Sequence, residues 1–191
     1  VNEPFIKVKS DDSITLAIAA LQAGKLIGYP TESVYGFGAD PFNASAILLL
    51  QALKARDKDS AFLMIASHFD QIKHYIDSDD HHILKKLSKS TAHPTTWVCP
   101  ASHQVPSWLL GPNRTIAIRI TQFPLCSKLC DAFNGPIIST SANFKGQPPA
   151  KTFEDMQMFK DQLAYIIDAP CGTATRASTI ADLISDHIYR Q

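Results

Sequence analysis

The sequence predicts a single α/β domain over residues 1–191, built as a twisted mixed sheet with helices around it. Three observations carry this. Apolar patterns of helical and strand period alternate from one end to the other. No repeat, low-complexity tract or linker interrupts them. The chain, 191 residues with 45% hydrophobic and 19% charged content, is long enough for one sizeable core.

In order, residues 11 to 24 read as a helix: Asp12 or Ser13 caps it, Ile14, Ala17, Ile18 and Leu21 share a face, and Gly24 stops it. An apolar strand, Leu26–Tyr29, then feeds Tyr29-Pro-Thr-Glu-Ser-Val-Tyr-Gly-Phe-Gly38. Pro30 pushes Tyr29 to an extended conformation, and Gly36 and Gly38 permit positive φ or close approach of a ligand. The stretch is built like a strand entering a binding loop, or like an ordinary connection. Asn43 caps a second helix carrying Ile47, Leu50 and Leu53, which ends at Lys54-Ala-Arg56. Ala61–Ala66 is a compact buried strand. Phe69–Lys89 reads as two helical pieces broken near Asp77–Asp80. His81 and His82 are adjacent, so they face different ways on a helix and do not suit a shared metal. Thr95–Cys99 is a strand ended by Pro100, and Thr115–Ile120 is another. Pro124 opens a helix to Phe133, with Gly135 ending it. A short strand then runs into Ser139-Thr-Ser-Ala-Asn143. A helix starts near Thr152, and Ala164–Asp168, Ser178–Leu183 and Asp186–Arg190 are closing strands.

Composition excludes several classes. Lys plus Arg equals Asp plus Glu, so the net charge is zero, which argues against a protein that coats nucleic acid but allows a local basic patch. The longest apolar run, Ile47–Leu50, falls far short of the roughly 18–20 residues of a membrane span, and no membrane partner is expected. No signal pattern opens the chain. Cys99, Cys126, Cys130 and Cys171 contain no CxxC pair, and Cys126 and Cys130 read better as buried thiols than as half a metal site. A reducing, cytoplasmic setting and no metal-binding residues are expected.

Polar residues at strand and helix ends carry the chemistry. Lys54 and Arg56 either complement a helix dipole or grip a polyphosphate. Ser139, Thr140, Ser141 and Asn143 are either a self-satisfied turn or ligand donors at a strand's carboxyl end. Arg119 shares one face of its strand with Thr115 and Ala117, a face that meets solvent or a polar cavity. No Walker loop and no spaced GxGxxG is present, so any nucleotide site is of an unusual type.

Taken together, these stretches resemble the YrdC family, most closely its short bacterial members, the threonylcarbamoyl-AMP synthases. The matching pieces are Tyr29–Gly38, Lys54-x-Arg56, Thr115–Arg119, Ser139–Asn143 with Gly146 and Pro149, Ser178-Thr-Ile, and the terminal Tyr189-Arg190. The resemblance implies an α/β domain around an open, basic-lined cavity. It also implies ATP-dependent synthesis of threonylcarbamoyl-AMP from L-threonine, bicarbonate and ATP, with pyrophosphate released. A partner, the threonylcarbamoyl transferase complex, then modifies tRNA.

The resemblance further places Lys54 and Arg56 on the phosphates with Mg2+, and Thr115, Ser139, Ser141, Pro149 and Arg190 against ATP. Thr31, Arg119 and Ser178 go around threonine, and Glu32 has no assigned role. Two segments depart from the family pattern. Asp57–Ala61 lacks the usual proline and following cation, with Lys58 as a substitute in a different register. Ala92–Thr96 has His93 where a glycine is usual. The alternative is a non-catalytic module of the same fold that binds tRNA or rRNA.

Overall fold

The computed structural model describes residues 10–55, 62–88 and 94–190. Tyr29–Gly38 folds as a β-hairpin rather than a strand entering a free loop. β1 (Ile27–Pro30) pairs antiparallel with β2 (Tyr35–Gly38), and Thr31 closes the turn by donating from its backbone N (3.0 Å) and Oγ1 (2.7 Å) to Val34 O. Neither Gly36 nor Gly38 takes a positive φ. They supply space instead. Gly38 lies opposite Ile27 and Gly36 opposite Tyr29, and a Cβ on Gly38 would stand 2.8 Å from Ile27 and 2.9 Å from Tyr29 side-chain atoms.

α1 (Ser10–Gln22) begins ahead of Asp12 and Ser13, so both lie in its first turn rather than at its cap. α2 (Ala44–Lys54) is capped as expected, with Asn43 Oδ1 accepting from Ala46 N at 3.1 Å, and it stops at Ala55 in the left-handed region (φ 43°). β3 (Leu63–Ala66) follows. The first predicted helical piece is two 3₁₀ turns, Phe69–Gln71 and Lys73–Tyr75, separated by Ile72 at φ −124°. The second is α3 (His81–Ser88). β4 (Thr95–Pro100), β5 (Thr115–Ile120) and α4 (Pro124–Phe133) match expectation, except that Asn134 (φ 60°) rather than Gly135 ends α4. The remaining elements are β6 (Ile137–Ile138), β7 (Thr140–Ser141), α5 (Phe153–Met156), β8 (Tyr165–Ile166), β9 (Thr179–Asp182) and β10 (Ile188–Arg190). Thr152 and Asp155 form a capping box at α5, which secures so short a helix.

These strands make two mixed sheets rather than one. The smaller runs β7-β2-β1-β8 and the larger β10-β9-β4-β5-β3-β6. Parallel pairing joins β1 to β8, β3 to β5 and β4 to β9, and the other pairs are antiparallel. The chain passes between the sheets at Ser139. Before it, β6 edges the larger sheet; after it, β7 edges the smaller. Backbone bonds pin the crossing, from Ile138 N to Ala39 O and from Ser139 N to Leu63 O, both at 2.9 Å.

One core packs α1 and α4 over this junction. Ala17 and Leu21, then Leu129 and Cys130, meet Ile27 and Tyr29 of the smaller sheet and Ile65 and Ile137 of the larger. The other core includes Tyr35, Phe37, Met64, Ile116 and Ile118, with α2 contributing Ile47 and Leu50. Burial on both sides of the junction fixes the sheets against each other, each large apolar side chain contributing about 1.5–3 kcal/mol.

Candidate ligand site

Both sheets wall a cavity of about 750 Å³, within the usual size of a small-molecule site. From the hairpin come Thr31, Ser33 and Gly36; from the larger sheet, Thr96, Ala117 and Arg119; from the crossing, Ser139, Thr140 and Ser141. Pro149 and Lys151, the Gly172–Ser178 segment and Arg190 complete it. The face shared by Ala117 and Arg119 therefore meets a cavity rather than bulk solvent.

Of the residues expected from sequence, the structure brings together Thr31, Arg119, Ser139, Ser141, Pro149, Ser178 and Arg190. Thr31, Arg119, Ser139 and Ser178 are between 5% and 7% exposed, so their polar groups point where few waters reach. Ser178 Oγ lies 2.9 Å from Thr96 Oγ1, and Arg190 Nη2 donates to Ser178 O at 3.0 Å. Residues assigned to different ligands thus touch each other.

Two others stand elsewhere. Thr115 is absent from the cavity wall, because its Oγ1 turns back to donate to Pro112 O at 2.8 Å. Lys54 also lies off the wall. Its ammonium donates to Ser141 O and Asn143 O at 2.8 Å and to Asn143 Oδ1 at 2.6 Å, bracing the turn after β7. Arg56, Asp57–Ala61 and Ala92–His93 fall outside the described residues.

Sequence reasoning did not single out Lys151, Arg176 or the run Gly172–Ala177. The signal was there: Gly172-Thr-Ala-Thr-Arg-Ala177 has the glycine-and-hydroxyl composition of the other two site stretches and leads directly into Ser178. Its placement depends on backbone contact. Gly172 N donates to Thr31 O and Ala174 N to Glu32 O, each at 2.9 Å, and a Cβ on Gly172 would sit 2.6 Å from Glu32 O. Only glycine fits this approach.

From the hairpin turn Glu32 pairs with Arg119, Oε2 to Nη2 at 3.3 Å, while Oε1 accepts from Thr121 Oγ1 at 2.9 Å. Nearby, burial pushes the Tyr35 phenol up to about 12. Its hydroxyl donates to Ala169 O at 2.7 Å, holding the irregular chain that leads to the 172–177 segment. Among the described residues no group of three or more His, Cys, Asp or Glu side chains could hold a metal ion, and no helix is long and apolar enough to cross a membrane.

Fold and cavity together define an α/β small-molecule-binding protein whose site lies where the chain changes sheets. The chain belongs to the Sua5–YciO–YrdC family, described as "Telomere recombination", whose profile matches residues 19–191. It is 38% identical over 179 residues to a threonylcarbamoyl-AMP synthase of Coxiella burnetii (strain RSA 493 / Nine Mile phase I), covering 93% of this chain and 96% of that protein. It is likewise 38% identical over 185 residues to one of Pseudoalteromonas translucida (strain TAC 125), covering 95% of this chain and 99% of the relative. Among solved structures, P. abyssi Sua5 complexed with L-threonine superposes with a TM-score of 0.82 at 26% identity, over 93% of this chain. The match spans 52% of that Sua5, about half its length.

Proposed function

We propose that this chain synthesises threonylcarbamoyl-AMP from L-threonine, bicarbonate or CO2, and ATP, releasing pyrophosphate, as the first step of N6-threonylcarbamoyladenosine modification of tRNA. The observation that carries this reading is a convergence. Seven residues scattered from Thr31 to Arg190 line one cavity, in a chain 38% identical over nearly its whole length to relatives of that name. The threonylcarbamoyl transferase complex is the consumer of the product, residues 1–191 act as one domain, and the setting is the cytoplasm, where free thiols stay reduced.

The chemistry asks for positioning rather than a covalent nucleophile. The neutral threonine amine attacks the carbon of CO2, giving a carbamate and a proton. A carbamate oxygen then attacks the α-phosphorus, the bond from Pα to the bridging oxygen breaks, and pyrophosphate leaves. Arg119 holds the threonine carboxylate, with Thr31 and Ser178 beside it. Ser139, Ser141, Pro149 and Arg190 lie against ATP. Arg56 takes phosphate oxygens, as does Lys54 from beside Ser141, whose carbonyl its ammonium touches. Thr115 is retained as a nucleotide contact only through a shift of its present bond to Pro112 O.

Supporting an anionic substrate, the charged residues on the cavity wall are Arg119, Lys151, Arg176 and Arg190, all cations. A resident Mg2+ does not fit the described residues, which offer no carboxylate cluster. The ion belongs with the nucleotide, as part of the substrate.

The test is pyrophosphate release by purified protein. Release that requires threonine, bicarbonate and ATP together is the expected result. Folded protein that binds ATP yet gives no threonine-dependent pyrophosphate overturns the reading. RNA binding that falls steeply with salt and ignores ATP and threonine would favour the non-catalytic module instead.

A further inference from the structure

The Thr31–Val34 turn is closed by its own backbone and by Thr31 Oγ1, so the Glu32 carboxylate is not needed to make it. That carboxylate instead reaches across to β5 and the residue after it. The pair it forms with Arg119 is buried, the two side chains 15% and 8% exposed. It is also poorly satisfied, because Glu32 Oε2 and Arg119 Nε have no hydrogen-bond partner. A buried ion pair with loose geometry returns little of its desolvation cost as stability. Its value lies in where it holds the guanidinium.

Arg119 lines the cavity alongside Lys151, Arg176 and Arg190. Without an anion behind it, its guanidinium would be one more cation open to the nucleotide phosphates. Glu32 is itself oriented: Thr121, 1% exposed, donates to Oε1, and Thr121 Oγ1 in turn accepts from Phe123 N at 3.2 Å.

We propose that Glu32, locked by Thr121, is a positioning residue that holds Arg119 for the substrate carboxylate and keeps it off the nucleotide phosphates. This rests on the reading that Arg119 binds threonine. It predicts selectivity between the two substrates.

The experiment compares initial rates of pyrophosphate release by the wild type, Glu32→Gln and Thr121→Val, varying threonine and ATP in turn. Glutamine keeps the volume, but Thr121 claims its carbonyl, leaving the amide donors facing the guanidinium. The expected result is a threonine KM raised about tenfold or more, the size of a lost hydrogen bond to a charged group. The ATP KM stays within about twofold, and Thr121→Val moves the same way by less. Both constants rising together, or a threonine KM within about twofold of the wild type, overturns the proposal. If Glu32→Gln does not fold, Thr121→Val decides on the same criteria, with Thr121→Ser as the variant expected to behave as the wild type. A wild type that releases no threonine-dependent pyrophosphate overturns the functional reading and this proposal with it.

Discussion

Lys54 shows how one side chain can carry both structure and chemistry. An ammonium has three donors, and three acceptors on Ser141 and Asn143 lie within 2.8 Å of this one. The ammonium also lies over the Phe37 ring, 5.7 Å from its centroid. From sequence, Lys54 and Arg56 read as a phosphate grip. In the fold, Lys54 is tied to the turn that presents Ser141. Replacing it with Met removes the brace, keeps the stem and leaves the carbonyls to water. Lys54→Met is expected to lower stability by about 1–2 kcal/mol in a urea titration, since these hydrogen bonds are only partly buried, and to raise the KM for ATP more than that for threonine.

At the scale of elements, the 172–177 segment is held by backbone contact with the hairpin turn rather than by an apolar anchor. Gly172 is the tightest point, with a would-be Cβ 2.6 Å from Glu32 O and 3.0 Å from Glu32 Cα. Gly172→Ala must push backbone away from backbone, and about 1–3 kcal/mol of destabilisation is expected. A thermal-shift comparison should show the loss, together with a smaller stabilisation by threonine than the wild type gives.

The elements themselves were largely legible in sequence, because each had a local cause: Asn43 as a cap, Pro124 at the start of α4, clean alternation in β5. What escaped depended on partners distant in the chain. Gly36 and Gly38 read as turn glycines, and only the pairing of β1 with β2 shows that Gly38 makes room for Ile27 and Tyr29, while Gly36 does so for Thr31. Phe69–Tyr75 has helical spacing, yet Ile72 is fully buried and breaks the helix into two 3₁₀ turns. Seven of the ten site residues that the family resemblance marks line one cavity, a convergence carried by the ordered set of motifs and not by any one local signal. Thr115 does not line the cavity, and its bond to Pro112 O is one that strand alternation does not encode.

The whole molecule should respond to alkaline pH through groups buried in both cores. Burial raises the thiols of Cys99, Cys126 and Cys130, the last from 9.0 to about 12, and raises the Tyr29 phenol as well as that of Tyr35, which goes from 10.0 to about 12. In the unfolded chain these groups lose protons near their ordinary values, while the folded protein keeps them. The unfolded state then binds fewer protons, and stability falls as pH rises. Melting temperature should therefore show no loss from these groups below about pH 9 and a progressive loss between about 9 and 12. Replacing Cys130 with Ala should flatten part of that slope, in melts recorded across the range. The crossing at Ser139 has a mechanical consequence. Residues 137–141 edge both sheets, so a shift of either sheet is felt along this short piece of chain. Ser139, between β6 and β7, lines the cavity. A substrate group resting there would sense both walls of the cavity at once.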